Sequence, residues 1–176
     1  MKENTKALDY VFADEGGYAE RDTEGGGAVN MGITFTTFAA WRKANGKSHP
    51  TFTDLRNMTR EEATKIYNSE YLSAIHFDEL PMGIDYCVLD AAILGGISGS
   101  LKALKKTLGF KDDTSWSVIR WAVNHRDVKW FINKLCDERK TQYSTFKNAK
   151  KVIKAGSERT WEIVWHERIE RVRKRA

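Results

Sequence analysis

Glu15-Gly16-Gly17-Tyr18-Ala19-Glu20-Arg21-Asp22-Thr23-Glu24-Gly25-Gly26-Gly27-Ala28-Val29-Asn30-Met31-Gly32 is the stretch on which the reading of the fold turns. Six of the chain's thirteen glycines fall in residues 16–32. Glycine gives up too much backbone freedom for such a run to hold a helix. It reads as a tight loop or a small β-hairpin, the one strand region of this sequence. Just before it, Leu8, Val11, Phe12 and Glu15 recur at i, i+3, i+4 and i+7. That is one face of a short amphipathic helix over residues 5–15, with Gly16-Gly17 as its stop. A carboxylate therefore closes an apolar stripe and stands directly before two glycines.

Working outward, helix signals fill the rest of the chain. Thr34 or Thr36 is placed to cap a helix running through Asn45-Gly46. Thr59-x-x-Glu62 has the form of a capping box and opens a helix to about Ala74. From Pro81, the residues Ile84, Val88, Leu89, Ala91, Ala92, Ile93 and Leu94 make a helix apolar nearly all round, which ends at Gly95-Gly96. Such a helix is central and buried. Leu101, Leu104 and Leu108 mark a helix closed by Gly109. Thr114 or Ser115 starts one that ends at His125, and Asp127 caps a longer one. The last runs from about Ser157, with Trp161, Trp165, Ile169 and Val172 on one face. Arg159, Arg168, Arg171, Arg173, Lys174 and Arg175 fall largely elsewhere, as cations facing solvent. Trp41, Trp130, Trp161 and Trp165 sit at helical spacing among apolar residues and are expected in the core. The expected fold is α+β, mostly helical, with two lobes and a cleft. Residues 1–80 form the lobe with the glycine loop, and residues 81–176 a helical lobe sharing its core.

A hydrophobic content of 41% in 176 residues suits a chain that buries a sizeable core and excludes disorder by composition. Cys87 and Cys136 lack metal-site spacing and read as two buried free thiols, a single bridge being the alternative. His49, His76, His125 and His166 are isolated, so the ligand pattern of a zinc hydrolase is missing. Neither serines nor cysteines sit in a nucleophile elbow. No metal or organic cofactor is expected. Met1 to Lys6 is not followed by an unbroken apolar run, and no eighteen-residue apolar window occurs. The expectation is a chain made in the cytoplasm without a cleavable signal peptide or stable membrane insertion, acting elsewhere only after release. Residues 1–80 hold nine Lys/Arg against thirteen Asp/Glu, and residues 81–176 twenty against eleven. The basic half points to an anionic partner: nucleic acid, lipid or bacterial wall.

Glu15 carries the chemistry. Desolvation on a core-facing stripe favours a protonated carboxyl group. A protonated carboxylic acid is what glycosidic cleavage needs as its general acid. A second carboxylate should activate water or stabilise developing positive charge. Glu24, just before Gly25-Gly26-Gly27, is placed to face Glu15 once the loop folds back. Asp22 is a rival, and Glu20 a weaker one, because sequence spacing does not fix a through-space distance.

Glu15-Gly16-Gly17-Tyr18, Glu24, Gly26-Gly27 and Asn30-Met31-Gly32-Ile33-Thr34 together resemble the signature of glycoside hydrolase family 108. The resemblance continues through Ile66-Tyr67, Tyr71, Leu80-Pro81-Met82-Gly83-Ile84-Asp85-Tyr86, Val88-Leu89-Asp90-Ala91-Ala92 and Gly95-Gly96. It implies a lysozyme-like fold and an N-acetylmuramidase that cuts the β-1,4 bond from N-acetylmuramic acid to N-acetylglucosamine in peptidoglycan. It further implies a phage endolysin role, Glu15 as catalytic acid and a peptidoglycan-binding C-terminal half. Departures fall at Glu24, where the family usually has Asp, at Val29, where it commonly has Thr, and at Leu72, where Trp is frequent. If the missing hydroxyl at Val29 holds the attacking water, Asn30 or Thr34 must substitute. Tyr18 and Tyr71 are the candidates to pack against sugar rings and bond their oxygens. Peptidoglycan is the expected partner, of a monomer that does not bind nucleic acid. Two other readings stand beside this one. A lytic transglycosylase needs only Glu15, and a non-catalytic basic wall- or nucleic-acid-binding protein rests on charge alone.

Overall fold

A computed structural model describes residues 5–20, 27–47, 49–153 and 157–176. The chain forms two compact units, Met1–Ser73 and Ala74–Ala176. The first unit opens with α1 (Thr5–Glu15). The strands β1 (Ala19–Glu20), β2 (Ala28–Asn30) and β3 (Ile33–Thr34) follow as an antiparallel sheet in sequence order. Asn30 pairs with Ile33, so Met31-Gly32 is a two-residue hairpin loop. Both loop residues are left-handed, with φ of 47° and 78°. This is the type I′ geometry, whose twist matches that of the flanking strands.

Thr34 ends β3 and caps α2 (Phe35–Ala44), accepting the Thr37 N–H. A five-residue helix, α3 (Phe52–Arg56), starts with a full capping box between Thr51 and Asp54. The sequence reading had only a connection there. Thr59 caps α4 (Arg60–Tyr67) by accepting the Glu62 N–H at 3.1 Å. The expected helix to Ala74 stops short: the chain turns into a π-helical segment, Asn68–Leu72. Leu8, Val11, Phe12, Ile33, Phe38, Leu55, Ile66 and Tyr67 form the core of this unit. Arg42 ties α2 to α4 through a two-pronged contact with Glu62 at 2.9 and 3.0 Å.

In the second unit a 3₁₀ turn (Phe77–Glu79) leads to α5 (Ile84–Gly95). Every residue of α5 from Ile84 through Ala92 is buried, as its all-round apolar character requires. Around it pack α6 (Ile97–Thr107), α8 (Val128–Ser144) and α9 (Trp161–Arg175), while α7 (Trp116–Asn124) precedes α8. Thr160 caps α9, which starts four residues later than Ser157. The buried carboxylate of Asp90 meets Arg139 at 2.5 Å and Arg168 at 2.7 Å. Burial alone would push Asp90 up. The two guanidiniums more than offset that and hold its carboxyl below the usual range. Arg168 is therefore not one of the solvent-facing cations expected of α9. Arg173 is also engaged, with Asp137 at 2.5 Å, and Arg159 pairs with Glu167. The tryptophans depart the other way. Trp130 and Trp161 are 45% and 40% exposed, and Trp41 and Trp165 are only half-buried. Their helix faces look outward because leucines, isoleucines and phenylalanines already fill the core. Cys87 and Cys136 are free and buried.

Candidate active site

The site is built where α1 ends against the hairpin. Phe12 O accepts the Gly16 N–H at 3.2 Å, and the left-handed Gly16 (φ 72°) takes the chain out of the helix. Glu15 is the last helical residue. It is half-buried, with its Oε1 sealed from solvent.

Gly32 faces it across the hairpin turn. A Cβ on Gly32 would lie 2.7 Å from Glu15 Cγ, 3.0 Å from Glu15 Oε2 and 2.6 Å from the Tyr67 hydroxyl. The bare glycine thus leaves a slot that the Glu15 carboxyl and the Tyr67 phenol share. The turn is held there: Tyr67 donates its O–H to Met31 O at 2.9 Å. Met31 is a non-glycine residue with positive φ, a conformation that costs about 1–3 kcal/mol and persists where surroundings over-determine it, commonly at functional sites.

Tyr67 is fully buried, its ring edge-on to Phe12 at 5.6 Å and tilted against Tyr71 at 5.2 Å. Tyr71, in the π-helical segment, is half-buried. Burial pushes its phenol up, and the charges of Glu15 and Glu70 add to that. Tyr71 therefore keeps its proton at neutral pH. π-helical turns recur at functional sites, and this one carries that tyrosine.

The other expected site residues divide. Glu24 and its rival Asp22 lie outside the described residues. Glu20 is exposed on β1 and pairs with Arg56 at 3.0 Å. Tyr18 donates to Glu20 Oε1 at 3.2 Å, and the Arg56 guanidinium covers one face of its ring at 4.6 Å. Asn30 is buried, its Nδ2 donating to Leu55 O at 2.8 Å and Arg56 O at 3.2 Å. That amide fastens β2 to the end of α3. Thr34 is exposed and caps α2. Val29 and Leu72 are both buried. The structure thus gathers Glu15 and Tyr71 around one turn, with Asn30 and Thr34 in the strands that carry it.

Sequence reasoning passed over Gly32, Tyr67 and Arg56 as site residues. Tyr67 and Tyr71 stand four apart, which signalled a shared face, yet nothing in the sequence announced the Met31 contact. Among the described residues, no group of three or more His, Cys, Asp or Glu side chains is arranged to hold a metal ion.

The family model described as Glycosyl hydrolase 108 matches residues 8–96, a span that takes in Glu15, the hairpin and Tyr71. The solved structure of Brucella abortus SagA resembles this chain with a TM-score of 0.79 at 33% identity, over 97% of this chain and 91% of that one. No curated protein matches the chain.

Proposed function

The chain belongs to the glycosyl hydrolase 108 family and is a glycoside hydrolase; we propose that it acts on peptidoglycan as an N-acetylmuramidase, cutting the β-1,4 bond from N-acetylmuramic acid to N-acetylglucosamine. Family membership supports a peptidoglycan hydrolase. The observation that carries the reading further is the seating of Glu15, half-buried at the end of α1 and wedged against Gly32 beside Tyr71.

In this mechanism Glu15 gives its proton to the glycosidic oxygen as that oxygen leaves the anomeric carbon. Positive charge builds on the sugar ring. Water adds to the anomeric carbon, and its proton passes to a second carboxylate, for which Glu24 is our candidate. Tyr71 bonds the sugar near the acid. Tyr18, half-buried with Arg56 over one face of its ring, packs against a neighbouring sugar.

The test is product analysis after borohydride reduction of digested sacculi. A muramidase yields reduced muramic acid ends. Reduced glucosamine ends would overturn the bond assignment, and anhydro-muramic ends would make the protein a lytic transglycosylase. We further propose an endolysin role, with synthesis in a host cytoplasm and wall binding by the helical second unit. Lysis on expression should then require permeabilisation of the inner membrane.

A further inference from the structure

The corner joining α7 and α8 has no part in this mechanism, and its composition calls for an account. Every residue from Asn124 through Trp130 is exposed. Trp121, on the preceding turn, is 64% exposed, and Val118, three residues earlier on the same helix face, is 46% exposed. Trp130 and Val128 open α8 in the same condition. Two tryptophans and two valines thus keep 36–64% of their surface in water, an unfavourable exposure of apolar area. Exposed apolar side chains on both sides of one turn are the kind of surface that marks contact sites.

Two cations beside them stand without a carboxylate partner among the described residues. The Arg126 guanidinium lies over the Trp130 ring at 5.9 Å. Among the described residues, neither Arg126 nor Lys129 has a carboxylate partner. The nearest acid in sequence, Asp127, accepts the Trp130 N–H at 2.7 Å as the cap of α8, so the helix's positive end offsets its charge. Arg120 is paired with Glu79 at 3.1 Å.

We propose that this corner is a foot that adsorbs to an anionic lipid bilayer. Indole rings and short aliphatic side chains settle at the headgroup boundary, while Arg and Lys meet lipid phosphates. A second copy of the chain would bring cations against cations. Here His125 stacks on Trp121 at 4.6 Å and Arg126 lies over Trp130 at 5.9 Å, and the two cations without carboxylate partners suit lipid phosphates better than a neutral glycan. Adsorption would be peripheral: among the described residues, no helix is long and apolar enough to cross a membrane.

The experiment is vesicle flotation of the full chain, with phosphatidylglycerol–phosphatidylcholine vesicles against phosphatidylcholine alone, at rising salt. A cation at an anionic leaflet contributes about fivefold in partitioning, so Arg126 and Lys129 together predict about twenty-five-fold preference for the anionic vesicles at low salt. Added salt should erase it. The double variant Trp121→Ala/Trp130→Ala and the pair Arg126→Gln/Lys129→Gln should each lower binding about tenfold or more, with unchanged melting and unchanged cleavage of soluble glycan fragments. Equal binding to both vesicle types overturns the proposal, as does equal binding by wild type and both variants. So does a loss confined to sacculi or a single-stranded oligonucleotide, which would identify the corner as a glycan or nucleic-acid surface. Because the readout is binding, it stands or falls separately from the assignment of Glu15.

Discussion

Replacing Gly32 by alanine tests whether the hairpin turn seats the proposed acid. The new Cβ would stand 2.6 Å from the Tyr67 hydroxyl and 2.7 Å from Glu15 Cγ, closer than non-bonded atoms approach. One neighbour must yield. Tyr67 is fully buried between Phe12 and Tyr71, and its hydroxyl is tied to the Met31 carbonyl, so its ring has no space to swing. Glu15 is half-buried at a helix end, and it is the side chain that moves. The left-handed backbone at φ 78° costs an alanine about 1–2 kcal/mol. Forcing Glu15 off its rotamer adds about 0.5–1.5 kcal/mol. The variant should therefore fold but lose about 1.5–3.5 kcal/mol by denaturant melts. Displacing a catalytic group by about 1 Å costs on the order of a hundredfold in turnover. Release of reducing ends from purified peptidoglycan should show that loss in kcat with KM little changed. In a Glu15→Ala background two of the three close contacts disappear, so the same substitution should cost about 1 kcal/mol less, a coupling expected of touching residues. Wild-type turnover for Gly32→Ala, or equal stability costs in the two backgrounds, would refute the seating argument.

Glu15→Gln keeps the shape and removes the transferable proton; wall lysis should fall on the order of a hundredfold or more while the melting temperature holds or rises. Clearance of permeabilised cells at near wild-type rate would sink the assignment of the acid. For the second carboxylate, Glu24→Gln should reduce turnover more than Asp22→Asn or Glu20→Gln, and the reverse order in the same turbidity assay would hand the role to Asp22. Asp90→Asn leaves two buried guanidiniums without their counter-charge, a loss of about 3–5 kcal/mol at neutral pH. Because the native Asp90 is held below its ordinary range, its stabilisation is complete above the unfolded carboxylate's pKa and fades as pH falls through the native value. Denaturant melts of wild type and Asp90→Asn should therefore converge in acid, and a gap independent of pH would contradict this account.

What the sequence disclosed, and what it hid, follows from the range of the interactions. The place of Glu15 at the end of a helix was legible because both of its signals are local: a helical stripe over residues 5–15 and a glycine stop directly after it. A tight loop or small hairpin was legible over residues 16–32 from the local glycine run, but the type I′ turn at Met31-Gly32 that joins β2 to β3 was not read from it. The short helix α3 went unseen because five residues hold too little periodicity to register, even with Thr51 and Asp54 capping it. The π-helical turn has no compositional mark. Tyr67 had no role in the sequence reading beyond the family resemblance; only the fold shows it buried, with its hydroxyl reaching Met31, thirty-six residues away. Arg168 misled in the opposite sense. A charged position on a terminal helix reads as solvated, yet its partner Asp90 lies seventy-eight residues earlier on the buried α5. Trp130 and Trp161 were assigned to the core by periodicity, which says that a residue shares a face with apolar neighbours but not how far that face is covered. The same limit bears on catalysis. The proposed acid is placed by its own short stretch, because partial burial and a chain that clears away beside it are both set locally. The group that activates water is defined by a distance across the site, so Glu24 and Asp22 stay rivals until turnover separates them.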